Sequence, residues 1–336
     1  MSTTRRTLLA SGATLAASPF GPAEAAQAGA SQSSRAPESP GAHRSYAFEQ
    51  WDVFTSQPLT GNPLAVFPDA RGLDDAQMLA IAREMNLSET TFVIPRDPAL
   101  EREQGIRVRI FRPMVELPFA GHPVLGSAWA LRAARGANRL DLHLNAGKVP
   151  VQFETVQGHT TGTMTQPDPE FREHHEAAAI APLFGLRAED FDASLPIQNV
   201  SIGGRSKVVV PLKSLDPIRR LQLDFGAVRK YFATGDPLRA FFFITRETID
   251  PAARFHARYP IPDGEDPVTG SGGGCVIAWA VNHGIVKSDE QIVIEQGHEM
   301  KRPGAMSAAA RKSGATVSNV RIGGSCAKVM EGRLTV

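Results

Sequence analysis

The sequence predicts an α+β fold of two pseudo-symmetric halves, each a curved, mostly antiparallel sheet wrapped around one central helix. Three observations predict it. First, LPFAGHPVLGSAWAL, residues 117–131, runs from a turn of Ala120, Gly121, His122 and Pro123 into an apolar helix; EDPVTGSGGGCVIAWAV, residues 265–281, does the same near the other end. Second, the segments leading to these turns match: VVVPLKSL from Val208 answers AVFPDARGL from Ala65, and HARYP from His256 answers RIFRP from Arg109. An internal match of this length is the mark of duplicated units. Third, strand-like stretches alternate irregularly with few helices, which is the α+β pattern.

Composition narrows the function. The chain has 336 residues, 42% hydrophobic and 21% charged, more than one core usually holds. Thirty-six basic residues balance 35 acidic ones with no basic run, which argues against nucleic acid and for a small ligand. Residues 1–28 read as a twin-arginine export signal: Arg5 and Arg6, a mildly apolar run from Thr7 to Ala17, Pro19, then small-residue cleavage candidates ending at Ala25 or Ala28. A periplasmic or secreted protein is the expectation, with a plain amphipathic tail as the alternative. Residues 29–45, rich in Ser, Pro, Gly and Ala without periodicity, read as a flexible linker. No other stretch is apolar over about 20 residues, so no membrane span is expected.

From residue 46 the elements follow in order. A strand, Tyr46 to Phe54, leads through a turn with Pro58, Gly61, Asn62 and Pro63 to a strand from Leu64 to Phe67. Asp74 or Asp75 caps a helix with Met78, Leu79, Ile81, Ala82 and Met85 at helical spacing, ending at Asn86. Glu89 lies between that helix and a strand from Thr91 to Ile94. Strands from Ile106 to Phe111, Leu140 to Leu144 and Val149 to Thr155 flank the first glycine-turn helix. In the second half, Asp216 with Ile218, Leu221 and Leu223 repeats the capped helix, and Phe241 to Thr245 repeats a strand. The domains are expected at 46–160 and 161–326, with the closing strand, 327–336, an optional member of the first. Cys275 and Cys326 leave a disulfide open, although Cys275 sits among Val276, Ile277 and Trp279 as a small buried residue would. His174 and His175 lie in a polar run and read as solvated. The nine histidines show no metal-ligand spacing.

Chemistry concentrates at the two turns. A helix start leaves backbone N–H groups unpaired and carries partial positive charge, so it suits a carboxylate. Gly121, and on the other side Gly270, Gly272, Gly273 and Gly274, carry no side chain that holds a ligand away. The plainer alternative is that these glycines only permit tight helix packing. A P-loop is excluded because no Gly-Lys-Ser/Thr follows, and Cys275 stands where G-x-G-x-x-G needs its last glycine. Ser271 fails as an elbow nucleophile, because Thr269 occupies a required glycine position, and is better read as a hydrogen-bond donor. Glu89, His122 and Asp266 are the ionisable residues near the turns or at a strand end. Together they supply what proton transfer at carbon needs: a carboxylate base, a proton-donating partner and stabilisation of developing charge. Leu87 and Phe92 beside Glu89 would desolvate it and raise its pKa.

NLSETTFV from Asn86, RIFRPMVELPFAGHPVLG from Arg109, EDPVTGSGGG from Glu265 and EQGHEMKRPG from Glu295, with GNPLAVF from Gly61, closely resemble the PhzF-like phenazine-biosynthesis isomerase family. The resemblance spans nearly all of residues 46–336. It implies the two-domain diaminopimelate-epimerase-like fold, a homodimer, and catalysis without cofactor or metal. It makes Glu89 the general acid/base that moves a proton between two substrate carbons, with His122 and Asp266 binding and polarising the substrate. Gly121, Gly270 and Ser271 would hold its carboxylate. The implied activity is isomerisation of a small cyclic amino/carboxylate such as trans-2,3-dihydro-3-hydroxyanthranilate. An amino-acid epimerase or racemase of the same superfamily, or a non-catalytic periplasmic binding protein, are the alternatives. Related epimerases use two cysteines as paired bases; here His122 occupies the first turn and Thr269 stands nearest the second cysteine's place. Arg112 and Val124 stand where threonines are expected, and three glycines with Cys275 replace a more alanine-rich segment.

Overall fold

Alternating strands that bury both faces, as Ile197–Ile202 and Arg205–Leu212 do, need a helix on one side and more protein on the other. The computed structural model supplies both. It describes residues 44–336 except 223, 232–239 and 262–263; the expected export signal and nearly all of the linker lie outside the described residues. Arg44 and Ser45, placed in the linker by sequence, belong to the sheet: Arg44 exchanges backbone hydrogen bonds of 2.9 Å with Val336.

The first half runs β1 (Ser45–Val53), β2 (Asn62–Phe67), α1 (Asp75–Met85), β3 (Glu89–Ile94), α2 (Pro98–Gln104), β4 (Ile106–Arg112), β5 (Val115–Leu117), α3 (Gly121–Arg135), β6 (Arg139–Leu144), β7 (Gly147–Val156) and β8 (His159–Thr165). The second runs β9 (Glu170–His175), α4 (Ala177–Ile180), β10 (Ile197–Ile202), β11 (Arg205–Leu212), α5 (Leu215–Arg219), α6 (Phe225–Tyr231), β12 (Ala240–Thr245), β13 (Phe255–Arg258), β14 (Pro260–Ile261), β15 (Gly264–Glu265), α7 (Gly270–Asn282), β16 (Ile292–Gln296), β17 (Gly304–Ser313), β18 (Thr316–Gly324) and β19 (Cys326–Thr335).

The pairings repeat. In the first half β1–β2 is antiparallel, β2–β3 parallel, β3–β4 antiparallel and β4–β6 parallel. In the second, β10–β11, β11–β12, β12–β13 and β13–β16 follow the same sequence of directions. Antiparallel β6–β7–β8 is likewise answered by β16–β17–β18. The halves are stitched by β8 against β18, and by the last strand, β19, which returns to lie along β1 as β9 lies along β10. The result is one continuous 17-stranded mixed sheet that runs through both halves, with β14 and β15 forming a separate two-stranded one.

Each half closes on its helix. Every residue of α7 from Gly270 to Val281 is buried, as is α3 from Gly121 to Ala128, so both are core helices with no solvent face over those turns. One apolar cluster joins the two, running from Val53 and Leu125 to Trp279 and Ile322. Close packing dictates the glycines: a Cβ on Gly126 would come within 2.5 Å of Leu64 and 2.8 Å of Val53. Asp74 caps α1 through a reciprocal box with Gln77, and Asn86 ends it in the left-handed region at φ 50°. That stop turns the chain so that β3 begins at Glu89, two residues earlier than the alternation indicates. Cys275 and Cys326 are free thiols. His175 is not solvated: its Nδ1 lies 2.8 Å from the Tyr231 hydroxyl.

Candidate active site

The two glycine turns meet. A Cβ on Gly121 would stand 2.5 Å from both the Gly270 carbonyl carbon and the Ser271 nitrogen, so the starts of α3 and α7 are in backbone contact. Neither helix start has a side-chain cap, which leaves its first N–H groups for another acceptor. Gly272, Gly273 and Gly274 do not share this role. A Cβ on them would run into Phe242 at 2.2 Å, Met306 Sδ at 2.2 Å and Gln166 Oε1 at 2.0 Å, so these three are packing glycines. Packing also requires Gly121 and Gly270, whose Cβ atoms would meet each other's backbone and, for Gly270, Phe54 at 2.9 Å, but these two also line the cavity.

Glu89, His122 and Asp266 line one small cavity with Gly121, Gly270 and Ser271. All three ionisable residues are buried, at 8%, 3% and 7% exposure. His122 Nε2 lies 3.5 Å from Glu89 Oε2. On its other side, His122 Nδ1 meets the Asn62 amide nitrogen at 3.1 Å. That amide also donates to Asp266 Oδ1 at 2.6 Å and to the Val268 carbonyl at 2.8 Å, two groups that only accept, so the nitrogen is assigned. His122 Nδ1 therefore faces a donor, and the neutral ring carries its proton on Nε2, toward Glu89. Burial keeps that ring neutral by pushing its pKa down to about 3.

The two carboxyls differ in support. Asp266 accepts from Asn62 and, through Oδ2, from the Thr269 hydroxyl at 2.6 Å. Glu89 faces the imidazole instead. Burial first, and the Asp266 charge second, raise Glu89 to about 7, against lowering by Arg112, Arg205 and Lys207. Burial also raises Asp266, but its two hydrogen bonds favour the ionised form. Burial thus favours the protonated form of both carboxyls, while Asp266 alone has hydrogen bonds that oppose it. A carboxyl near 7, within reach of an imidazole N–H and two uncapped helix starts, can take and return a proton at neutral pH.

A family model described as phenazine biosynthesis-like protein, PhzC-PhzF, matches residues 51–332. The chain belongs to that family. The trans-2,3-dihydro-3-hydroxyanthranilate isomerase of Pseudomonas aeruginosa is 37% identical over 290 residues, which is 84% of this chain and 96% of the relative. An uncharacterized isomerase of Escherichia coli, YddE, is 32% identical over 253 residues, covering 74% of this chain and 83% of that one. Among solved structures, a Bacillus anthracis phenazine biosynthesis protein of the PhzF family superposes with a TM-score of 0.76 at 29% identity, over 87% of this chain and all of that one. A hydroxyproline epimerase from Agrobacterium vitis, at 13% identity over 87% of this chain and 93% of its own, shares the fold with a TM-score of 0.56. The architecture is the epimerase-like α+β fold of this family.

Several residues that hold these groups in place carried no sequence role. Asn62 is the hub linking His122 to Asp266. Gln296, at the end of β16, donates to the Asp266 carbonyl at 2.7 Å and accepts from the Thr269 amide at 2.9 Å, fixing the second turn. Arg302 braces the turn that presents Asn62: it donates to the carbonyls of Gly61 and Thr60 and to buried Asp52 at 2.7 Å. The motifs GNPLAVF and EQGHEMKRPG contained all three, without indicating that they act together.

A second polar cluster lies apart, along a groove of about 550 Å3 that Glu295 and His298 line. The side chains of His256, Glu295 and His298 approach within 4.8 Å of one another. His256 and Glu295 are already engaged: His256 bonds Glu295 at 2.8 Å and Glu299 at 3.2 Å, and Glu295 accepts the amides of Ile249 and Asp250, while His298 Nε2 lies 3.6 Å from Glu295 Oε2. The cluster reads as an ion-pair network that ties β13 to β16. Among the described residues no helix is long and apolar enough to cross a membrane.

Proposed function

We propose that this chain is a cofactor-independent isomerase that moves a proton between two carbons of a small cyclic amino/carboxylate, with Glu89 as the shuttle. The observation that carries the reading is the Glu89 carboxyl, lifted to about 7, 3.5 Å from the His122 Nε2–H beside two convergent helix starts. The names of the curated relatives support the reaction class. The substrate carboxylate accepts from the amides at Gly121 and Gly270 and from Ser271. Glu89 takes a proton from one substrate carbon; the C–H electron pair moves into the conjugated system, and His122 and Asp266 polarise the atoms that gain charge. Glu89, now neutral, returns the proton to a second carbon on the same face.

Epimerisation by a thiol pair is disfavoured. Cys275 is fully buried and does not line the cavity, and Thr269 stands in the second turn. A non-catalytic binding role would need no carboxyl tuned near neutrality. The test is incubation with trans-2,3-dihydro-3-hydroxyanthranilate in deuterated water, following deuterium in product and recovered substrate. Isomerised product is expected; tight binding with neither product nor exchange would favour the binding protein. We also propose export through the paired arginines and a homodimer, checked by cell fractionation of an Arg5→Lys, Arg6→Lys variant and by sedimentation.

A further inference from the structure

Tyr259 lines the cavity of Glu89 and takes no part in the proton shuttle. The match of HARYP to RIFRP puts it in the place that Arg112 holds in the first half, so each half brings one side chain from this position to the cavity. Tyr259 is 6% exposed. A phenol buried this deeply usually finds a hydrogen-bond partner. The Tyr259 hydroxyl has none among the described residues, and its oxygen is not sealed off. The ring is held in place: Lys207 Nζ lies 4.8 Å from its centre, the Phe242 ring lies 5.7 Å from it, and the residue's own backbone carbonyl accepts the Asp266 amide at 3.0 Å. A fixed ring with an unengaged hydroxyl in a cavity is a hydrogen-bonding group prepared for a ligand.

The charge balance indicates which ligand group that is. Arg112 and Lys207 act on both Glu89 and Asp266, and Arg205 acts on Glu89. These cations are matched by the two carboxyls and one substrate carboxylate, so a further polar group of the substrate is best neutral when it enters. A substrate amine finds acceptors in the carboxyls. A neutral oxygen finds its complement in the phenol, which both donates and accepts. We propose that Tyr259 hydrogen-bonds a hydroxyl on the substrate ring and so selects hydroxylated cyclic carboxylates over analogues that lack the group. The cavity itself, about 20 Å3, has room for little more than a water molecule, so the ligand extends into an adjoining hollow of about 290 Å3 that shares Ser88, Arg112 and Ile261. This inference rests on the reading of the helix starts as the grip on the substrate carboxylate.

The test is calorimetric binding of anthranilate and 3-hydroxyanthranilate to the full chain, a pair that differs by one ring hydroxyl. The parent is expected to bind 3-hydroxyanthranilate about tenfold tighter or more. Tyr259→Phe keeps the ring against Lys207 and Phe242 and removes only the hydroxyl. It is expected to bring the two ligands within about twofold of each other while anthranilate stays within about threefold of its parent affinity. In the same variant kcat/KM on trans-2,3-dihydro-3-hydroxyanthranilate is expected to fall by a factor comparable to the lost preference. Thermal melting verifies folding, and the comparison of the two ligands on the parent needs no variant. Equal binding of both ligands by the parent overturns this inference alone, as does a preference that survives in Tyr259→Phe or a loss there that is the same for both. Failure of both ligands to bind the parent overturns the helix-start reading along with it.

Discussion

Replacing Glu89 with glutamine should cost activity and add stability, and the added stability should depend on pH in a way that reads the buried carboxyl directly. The Glu89 carboxyl has an ordinary value of 4.5 and is raised to about 7 in the fold, chiefly by burial. Between those values the folded protein binds a proton that the unfolded chain does not. The favourable contribution is thus complete below about 4.5 and is lost as pH rises through about 7. Each tenfold change in proton affinity corresponds to about 1.4 kcal/mol, so the full difference approaches about 3 kcal/mol at pH 8. Glutamine keeps the shape and never ionises. Glu89→Gln should therefore match the parent in stability near pH 4.5 and exceed it by about 3 kcal/mol at pH 8, a gain of roughly 5–10 °C in melting temperature. Subtracting variant from parent at each pH removes the contribution of His122, whose depressed value costs stability as pH falls from 6.5 toward about 3 in both proteins. Urea denaturation at pH 5 and pH 8 measures the difference, and turnover should fall by at least about a hundredfold, the usual share of a general base. A stability difference that is the same at both pH values would refute the raised carboxyl. Turnover within about tenfold of the parent would refute Glu89 as the shuttle.

Gly121→Ala should weaken substrate binding and cost about 1–3 kcal/mol of stability, because its Cβ would overlap the Gly270–Ser271 backbone at 2.5 Å; the variant's KM and denaturation midpoint check both. Arg302→Met should destabilise by about 3–5 kcal/mol, since it strands the buried Asp52 carboxylate, and should lower activity through the loosened Asn62 turn; urea midpoints and kcat read the two effects. Asp74→Ala removes the box that starts α1 and should cost about 1 kcal/mol with turnover unchanged, which makes it the control for stability effects remote from the cavity.

Much of the fold was legible because its signals are local. Apolar residues at helical spacing and the Asp74–Gln77 box marked α1, and the internal match of VVVPLKSL to AVFPDARGL placed β11 where β2 stands in the repeat of pairings. Signals faded where an element is short or its partner is remote. Asp97 and Pro98 are the cap and first turn of α2, a helix of seven residues with none buried, so no apolar period betrayed it. The single continuous sheet depends on β8 meeting β18 and β19 meeting β1, pairings between strands that no spacing rule connects. His175 in a polar run gave no hint of Tyr231, 56 residues away.

The site divides along the same line, between groups that react and groups that hold. Glu89, His122 and Asp266 stood out because an ionisable side chain beside a glycine turn or an apolar strand is locally anomalous. Asn62, Gln296 and Arg302 are ordinary polar residues wherever one looks along the chain, and their importance exists only across distance: Asn62 reaches Asp266 over 204 positions, and Arg302 reaches Asp52 over 250. The Asn62 bonds bear on which nitrogen of His122 carries the proton and favour the ionised form of Asp266. They place three ionisable groups in three different surroundings, which is what the proposed acid, base and counter-charge require. The same reasoning bears on Lys207, which as a sequence letter is one lysine among many and becomes informative only when the fold buries its ammonium group beside Glu89 and Asp266, where its charge favours their ionised forms.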